Sequence, residues 1–181
     1  MEILRGASDS QMLETLELSV ELTARMLFLS KLSDSIETAK NLCCEKISNG
    51  QALEKFRQNI ELQGGNPAIC DSPEILLEDV VKVPVTSLKT GFISEIDTKK
   101  VGNSICEIGG GRTKIDDKID FAVGFECEKK IGDEVRAGET LGILYCRSES
   151  QANQILNNLQ NSYIISEEKS PKIDLVQKII P

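Results

Sequence analysis

The spacing of apolar residues changes once along this 181-residue chain, and the change divides the sequence into two parts. Up to about residue 65, apolar residues recur every three or four positions, which is the period of an amphipathic helix. Beyond residue 82 the period is two, as where Val83 and Val85 alternate with Pro84, and that period is typical of a strand. The sequence therefore predicts an α+β fold in which a helical segment precedes a mainly β domain.

Capping residues and glycines bound the helices of the first part. Three helices are predicted, over about Asp9 to Ser30, from a cap at Ser33 or Asp34 to Asn49-Gly50, and from Ala52 to Gly64-Gly65. Ser8 and Gln11 have the spacing of a capping box at the start of the first helix. Residues 66–81 contain two prolines, allow one helical turn over 74–77, and are predicted to connect two domains.

The second part is predicted to combine short strands with two helices. The strands span about 83–85, 91–96, 119–126, 142–146 and 163–166, and the helices span 101–108 and 151–162. Between residues 130 and 144, Gly132 and Gly138 provide tight corners, while Val135 and Leu141 point into a small core. This strand-turn-strand resembles that of biotinyl and lipoyl carrier domains, a barrel-sandwich hybrid, with residues 91–96 as its matching first strand.

A run of three glycines followed by arginine, Gly109-Gly110-Gly111-Arg112, has two interpretations. The glycines permit positive φ and uncover backbone amides, and the Arg112 guanidinium could hold a phosphate, so the run could form an anion nest or an interdomain contact. Its spacing matches neither of the two common phosphate-binding glycine motifs, which favours a tight turn after a helix. Asp120 is predicted to anchor this loop by accepting amide hydrogen bonds.

A carrier domain would display one modified lysine at the tip of a hairpin. Lys99, Lys100 and Lys114 are the candidates by position, and none has the flanking methionines of a biotin site. A biotinyl or lipoyl carrier, or a small-molecule-binding module, is therefore the alternative function rather than the preferred one, and no cofactor is predicted.

Charge and composition exclude several classes of protein. A net charge of −8 repels phosphate backbones and anionic lipid surfaces, so neither nucleic acid nor a membrane is predicted as a partner. No apolar run is long enough for a transmembrane helix and no secretory signal is evident, which predicts a cytoplasmic protein. Histidine is absent, which disfavours autonomous hydrolytic catalysis.

The cysteines and the paired acids indicate no catalytic or metal site. The six cysteines form no C-x-x-C pair, so reduced and mostly buried thiols are predicted. They are Cys43, Cys44, Cys70, Cys106, Cys127 and Cys146. Neighbouring carboxylates at 116–117, 126–128 and 167–168 are predicted to lie in solvent rather than to act as an acid–base pair.

Several motifs, in order along the chain, resemble one enzyme family. They are Leu4-Arg5-Gly6 before a long helix, Ala52-Leu53-Glu54-Lys55-Phe56 leading to Gln63-Gly64-Gly65, the run from Gly109 to Gly124, and Lys129-Lys130-Ile131-Gly132-Asp133. The sequence is similar to the carboxy-terminal part of the pyrimidine-nucleoside phosphorylase and thymidine phosphorylase family. The resemblance implies that residues 1–65 are the last helices of an α/β lobe, residues 66–81 a linker, and residues 82–181 a carboxy-terminal α+β domain.

For the full-length protein, the resemblance implies a glycosyltransferase of pyrimidine salvage. Inorganic phosphate attacks the anomeric carbon of a pyrimidine nucleoside, releasing the base and a sugar 1-phosphate. Phosphate and pyrimidine nucleoside would be the substrates and a homodimer the assembly, while the fragment alone would be a monomer. The family's Lys-His-Ser-Thr-Gly-Gly stretch does not occur here, so no catalytic or substrate-binding residue is carried over, and the fragment is expected to be structural and inactive.

Overall fold

In the computed structural model, which describes residues 1–6, 10–171 and 175–179, the chain forms two compact units. The first unit is Met1–Leu76, with which residues 175–179 group, and the second unit is Leu77–Ile173. The first unit is helical and the second combines helices with antiparallel sheets, which confirms the predicted α+β class.

Helices α1 to α3 make up most of the first unit. Their bounds are Ser10–Leu29 for α1, Ile36–Ser48 for α2 and Gln51–Leu62 for α3, and short 3-10 turns span Glu2–Arg5, Pro67–Cys70 and Pro73–Leu76. The glycines predicted to end α2 and α3, Gly50 and Gly64, have φ of +79° and +80°, the left-handed conformation that favours glycine. The three predicted helices are confirmed to within a few residues.

The cap of α2 differs from the predicted one. Ser35 has an extended backbone and its hydroxyl accepts a hydrogen bond from the Thr38 amide at 3.1 Å, so Ser35, rather than Ser33 or Asp34, begins the helix. Ser33, Asp34 and Ser35 are all residue types that cap helices, so the sequence alone does not identify which of them is the cap. The predicted cap of α1, Ser8, lies outside the described residues.

A charged group joins α1 to α2. The Glu21 carboxylate contacts Arg25, one turn further along α1, and Lys40 on α2, whose ammonium nitrogen lies 2.5 Å away. The hydrogen bond from Lys40 and then that from Arg25 lower the pKa of Glu21 below its ordinary value. The Glu21 side chain is mostly covered while Arg25 and Lys40 remain partly exposed, so the group links the two helices with a modest stabilisation.

The second unit contains six strands and two helices in its described residues. They are β1 Val81–Thr86, β2 Gly91–Ile96, α4 Thr98–Glu107, β3 Gly124–Cys127, β4 Glu134–Val135, β5 Thr140–Cys146, α5 Glu149–Gln160 and β6 Tyr163–Ser166. The strands form two antiparallel sheets, in the orders β1-β5-β3 and β4-β2-β6, and neither sheet closes into a barrel. The barrel-sandwich arrangement of this domain stays a prediction.

The strand-turn-strand predicted over residues 130–144 is divided between the two sheets. β4 pairs with β2, with Gly91 opposite Val135, as expected for the matching first strand, whereas β5 pairs with β1 and β3. Gly132 and Gly138, with φ of +91° and +85°, turn the chain on either side of β4. These two turns carry the chain from one sheet to the other.

Two apolar clusters fill the second unit. The first lies between the β1-β5-β3 sheet and helices α4 and α5, and its buried members are Val85, Ile108, Val123, Leu144, Cys146, Ala152, Ile155 and Leu159. The second lies between the two sheets and comprises Ile93, Val135, Leu141 and Tyr163. Strand β5 contributes to both clusters because alternate side chains of a strand point to opposite faces, with Leu144 on one side and Leu141 on the other.

Both tyrosines of the chain lie in this unit and are hydrogen-bonded. The Tyr163 hydroxyl lies 3.1 Å from Cys127 Sγ, and burial followed by this contact raises the pKa of Tyr163. Tyr145 donates to the Glu126 carboxylate at 2.6 Å, which raises the pKa of Tyr145. Phe125 meets Tyr163 edge to face, with ring centroids 6.5 Å apart, so aromatic contact links β3 to β6.

Candidate functional site

The glycine run stands at the end of α4 and completes that helix. Gly109, with φ of +97°, donates from its amide to the Cys106 carbonyl at 3.0 Å, and the Gly110 amide donates to the Ile105 carbonyl at 2.9 Å. This pair of hydrogen bonds is the Schellman arrangement, which satisfies the last carbonyls of a helix. Two of the three glycine amides are therefore already used by α4.

Close packing explains why further glycines follow Gly109. A Cβ added to Gly110 would overlap the Ile105 side chain, and one added to Gly111 would overlap Cys106 Sγ. Both positions press against the last turn of α4, so the run forms the tight helix-to-loop turn that the sequence favours. The anion nest over Gly109–Arg112 stays a prediction.

An internal carboxylate occupies the next stretch of the loop. Asp117 Oδ2 accepts hydrogen bonds from the Thr113 hydroxyl at 2.6 Å, the Lys114 amide at 2.8 Å and the Thr113 amide at 3.0 Å. These donors, the hydroxyl first, lower the pKa of Asp117. Arg112 is exposed, and its guanidinium has no ion-pair partner among the described residues. The Arg112 guanidinium is thus free to meet an external anion, whereas the amides of Gly109, Gly110, Thr113 and Lys114 are already hydrogen-bonded.

Arg147 clamps the far end of this loop. Its Nε and Nη2 atoms contact the two Asp120 carboxylate oxygens at 2.7 and 2.8 Å, and Nη2 also contacts Glu78 at 2.6 Å. The Asp120 amide donates to the Gly109 carbonyl at 2.9 Å, which ties the two ends of the loop together. The Asp120 carboxylate accepts a hydrogen bond from the Ala122 amide, which agrees with the predicted anchoring by amide hydrogen bonds, and it also binds Arg147.

Arg147 was not found from the sequence because its partners are distant along the chain. Asp120 lies 27 residues before it and Glu78 lies 69 residues before it. The hydrogen bond from Arg147 is the main reason that the pKa of Asp120 lies below its ordinary value. The turn held by this contact also explains why β3 begins at Gly124 and not, as predicted, near Ile119.

The three lysines considered for a carrier do not lie at the tip of a hairpin. Lys99 and Lys100 are in the first turn of α4, and Lys114 is in the loop that follows α4. Lys89, in the short turn between β1 and β2, was not singled out from the sequence. These two strands belong to different sheets, so their turn is not the tip of a paired hairpin either. The carrier alternative gains no support.

Metal-ligating clusters and membrane-spanning helices are absent from the described part of the chain. Within residues 1–6, 10–171 and 175–179, the Cys, Asp and Glu side chains form no group of three or more suited to a metal ion. The six cysteines are free, and Cys70 and Cys146 are buried. Over the same residues, no helix combines the length and the apolar character needed to cross a membrane.

The sequence has relatives that carry a common name. The family profile described as pyrimidine nucleoside phosphorylase C-terminal domain matches residues 92–166. The pyrimidine-nucleoside phosphorylase of Bacillus subtilis is 36% identical over 157 residues, which are 87% of this chain and 36% of that protein. The proteins of the same name from Staphylococcus haemolyticus and Staphylococcus aureus are 32% and 33% identical, over 91% of this chain and 37% of each relative.

The share of each relative that the chain covers shows which part of these proteins it matches. The chain spans 36% to 37% of the length of these relatives, and the matched profile runs from β2 to β6 and includes the whole glycine loop. By sequence, the chain belongs to the pyrimidine-nucleoside phosphorylase family and corresponds to the carboxy-terminal part of its members.

Proposed function

We propose that the complete protein to which this chain corresponds is a pyrimidine-nucleoside phosphorylase, and that the chain itself is a structural, catalytically inactive part of it. The reaction is reversible phosphorolysis. Phosphate attacks the anomeric carbon of a pyrimidine nucleoside, the glycosidic bond breaks, and the free base and a sugar 1-phosphate are released. The names of the relatives support this reaction, in which phosphate and pyrimidine nucleoside are the substrates.

Phosphorolysis needs groups that position phosphate and that stabilise negative charge on the leaving base. Two acids of the glycine loop are engaged within the loop or its anchor, Asp117 by loop amides and Asp120 by Arg147. The chain contains no histidine. Arg112, Lys114 and Lys118 are exposed cations of this loop, and exposed cations on one loop do not by themselves form a pocket for a nucleoside. These features support a structural part rather than a complete catalyst.

Exposed apolar side chains on one face of α1 support the proposal that the chain is part of a larger protein. Leu22, Met26 and Leu29 follow one another at helical spacing, with exposed fractions of 55%, 68% and 78%. Large apolar side chains at this spacing normally pack against a neighbouring element. A sheet of an α/β lobe would cover them. The proposed role of the first unit depends on this exposed face.

The proposed organisation follows from the exposed face and the position of the matches. Residues 1–65 are assigned to the last helices of an α/β lobe, residues 66–81 to a linker, and residues 82–181 to a carboxy-terminal α+β domain of the nucleoside phosphorylase type. The complete protein is proposed to be a cytoplasmic homodimer, and the chain by itself a monomer. The net charge of −8 disfavours nucleic acid and anionic membranes as partners.

A hybrid enzyme tests the proposal. The chain is produced alone and, in parallel, in place of the matching part of the Bacillus subtilis phosphorylase, and each protein is incubated with uridine or thymidine and phosphate. The hybrid is expected to release uracil or thymine only when phosphate is present. The chain alone should release no more base than a heat-denatured sample. A folded but inactive hybrid would contradict the assigned reaction, and base release by the chain alone would contradict its structural role.

A further inference from the structure

The loop between α4 and β3 carries two apolar side chains that are almost fully in water. Ile115 is 92% exposed and Phe121 is 91% exposed, the highest values among the large apolar residues of the described chain. Elsewhere in the same unit, Leu77 is 78% exposed, Leu88 57% and Ile164 48%. One exposed apolar residue is ordinary on a protein surface, but two such residues on one short loop suggest a contact surface.

Hydrogen bonds hold the backbone of this loop at three places. The glycine run fixes its start on α4, Asp117 binds two of its amides, and Asp120 near its end is clamped by Arg147. The backbone is therefore ordered while the two apolar side chains remain uncovered. A loop of this kind is preorganised for binding, since little conformational entropy remains to be lost when a partner covers it.

The charges along the loop indicate the chemistry of the partner. Arg112, Lys114 and Lys118 are exposed, whereas Asp116 is the one exposed acid between them that neither anchors nor caps the loop in the described structure. Asp117 and Asp120 are ionised as well, so the three cations and three acids of the loop balance, whereas the whole chain carries a net charge of −8. A surface of this kind, with two uncovered apolar side chains and no excess charge, suits an apolar partner surface.

We propose that Ile115 and Phe121 dock on the upstream part of the phosphorylase, the part that the relatives have and that this chain does not match. That part is long enough to offer the surface, because the chain covers 36% of the Bacillus protein. A second copy of this chain is a less suitable occupant, since two molecules of net charge −8 repel each other. The inference rests on the proposed function, because it takes the complete protein to be a phosphorylase.

Hydroxyl-radical footprinting measures whether the loop is covered. Side-chain oxidation is compared, peptide by peptide, between the isolated chain and the hybrid with the Bacillus phosphorylase. Oxidation of Ile115 and Phe121 should fall several-fold in the hybrid. Oxidation of Leu88 and Ile164, which lie outside the loop, should stay unchanged and serves as the internal control.

Three results would overturn the docking proposal. An active hybrid in which Phe121 is oxidised as readily as in the isolated chain would do so while leaving the proposed function intact. If the hybrid does not fold, residues 112–121 are grafted into the Bacillus enzyme, whose activity reports folding, and an unprotected Phe121 in the active graft would again overturn it. Protection of Phe121 that rises with the concentration of the isolated chain would assign the surface to a second copy instead.

A pair of variants gives a second readout. In the isolated chain, Phe121→Ser should leave the unfolding midpoint unchanged, because the side chain is 91% exposed there. In the active hybrid or graft, the same substitution should lower the midpoint, since it removes a docked aromatic ring. Leu88→Ser, also at an exposed position, should have the same small effect in both proteins. Equal effects of Phe121→Ser in the two proteins would contradict docking.

Discussion

The two units of this chain differ in what they bury. The second unit encloses leucine, isoleucine, valine and tyrosine side chains in two clusters. In the described part of the first unit, the buried apolar residues are only Ala24, Ala39 and Cys70, while Leu22 and Met26 stay exposed. Burial of apolar surface is the main favourable contribution to folding. The second unit therefore contains its own core, whereas the described part of the first unit buries little apolar surface.

Shortening one leucine in each unit is the most direct way to break this comparison. Leu144→Ala, at a fully buried site, is expected to lower the free energy of unfolding by about 2–5 kcal/mol, because it leaves a cavity in the first cluster. Leu22→Ala, at a site that is 55% exposed, should change it by less than about 0.5 kcal/mol. Urea denaturation read by hydrogen exchange of peptides from each unit measures both values. Similar losses in the two variants would contradict the comparison.

A pair of glycines tests how tightly the second unit is packed. A Cβ on Gly142 would overlap the Glu126 carbonyl oxygen and the Phe125 ring, so Gly142→Ala should cost about 1–3 kcal/mol by forcing β3 away from β5. Gly102, in α4, has open space around its added Cβ, so Gly102→Ala should stabilise the protein by up to about 1 kcal/mol. The melting midpoints of the two variants, compared with that of the unchanged chain, measure both effects. A stabilising Gly142→Ala would show that the two strands are not in close contact.

The helix caps give a smaller effect that is present in both units. Ser35 caps α2 and Ser148 caps α5, each by accepting an amide hydrogen bond. Replacing either serine with alanine should cost about 1 kcal/mol. The loss should appear in the cooperative unfolding of the second unit for Ser148→Ala, and as reduced helix content of the first unit for Ser35→Ala.

Circular dichroism combined with hydrogen exchange separates these two outcomes. Asp34→Ala is the matched control for the first unit, because Asp34 precedes the true cap and lies outside α2. Helix loss that is greater in Asp34→Ala than in Ser35→Ala would contradict the observed cap.

The smallest expected effect concerns the partly exposed pair Arg147–Asp120. Arg147 lowers the pKa of Asp120, so the pair stabilises the loop only while Asp120 is ionised. This contribution is complete above the unfolded-state pKa of about 4 and is lost as the pH falls through the lowered folded-state value. Melting midpoints should therefore fall less steeply between neutral and acidic pH for Asp120→Asn than for the unchanged chain. Equal slopes would show that the pair does not contribute.

Local patterns were sufficient to predict most elements of both units. Apolar spacing located α1 to α3, and Gly50 and Gly64 marked the ends of α2 and α3, because a left-handed residue at a helix end is a local requirement. Strand β6, Tyr163–Ser166, has the predicted bounds. The tight turn at the glycine run was also predictable, since its hydrogen bonds reach back only to the preceding helical turn.

Contacts between distant parts of the sequence could not be predicted in this way. Arg147 contacts Asp120 and Glu78 because it directly follows β5, which lies between β1 and β3 in the sheet. The sequence of the turn between β4 and β5 does not indicate that these two strands belong to different sheets. The exposure of Ile115 and Phe121 was equally hidden, because an apolar residue in a loop belongs to no periodic pattern that would place it inside or outside.

The position of the tyrosines has a practical consequence. The chain has no tryptophan, and Tyr145 and Tyr163 both lie in the second unit. Tyrosine emission from the chain therefore comes from the second unit alone, and the helices of the first unit contribute nothing to it. One tryptophan placed in α1 would give each unit a separate emission band, so that a single optical titration could follow both.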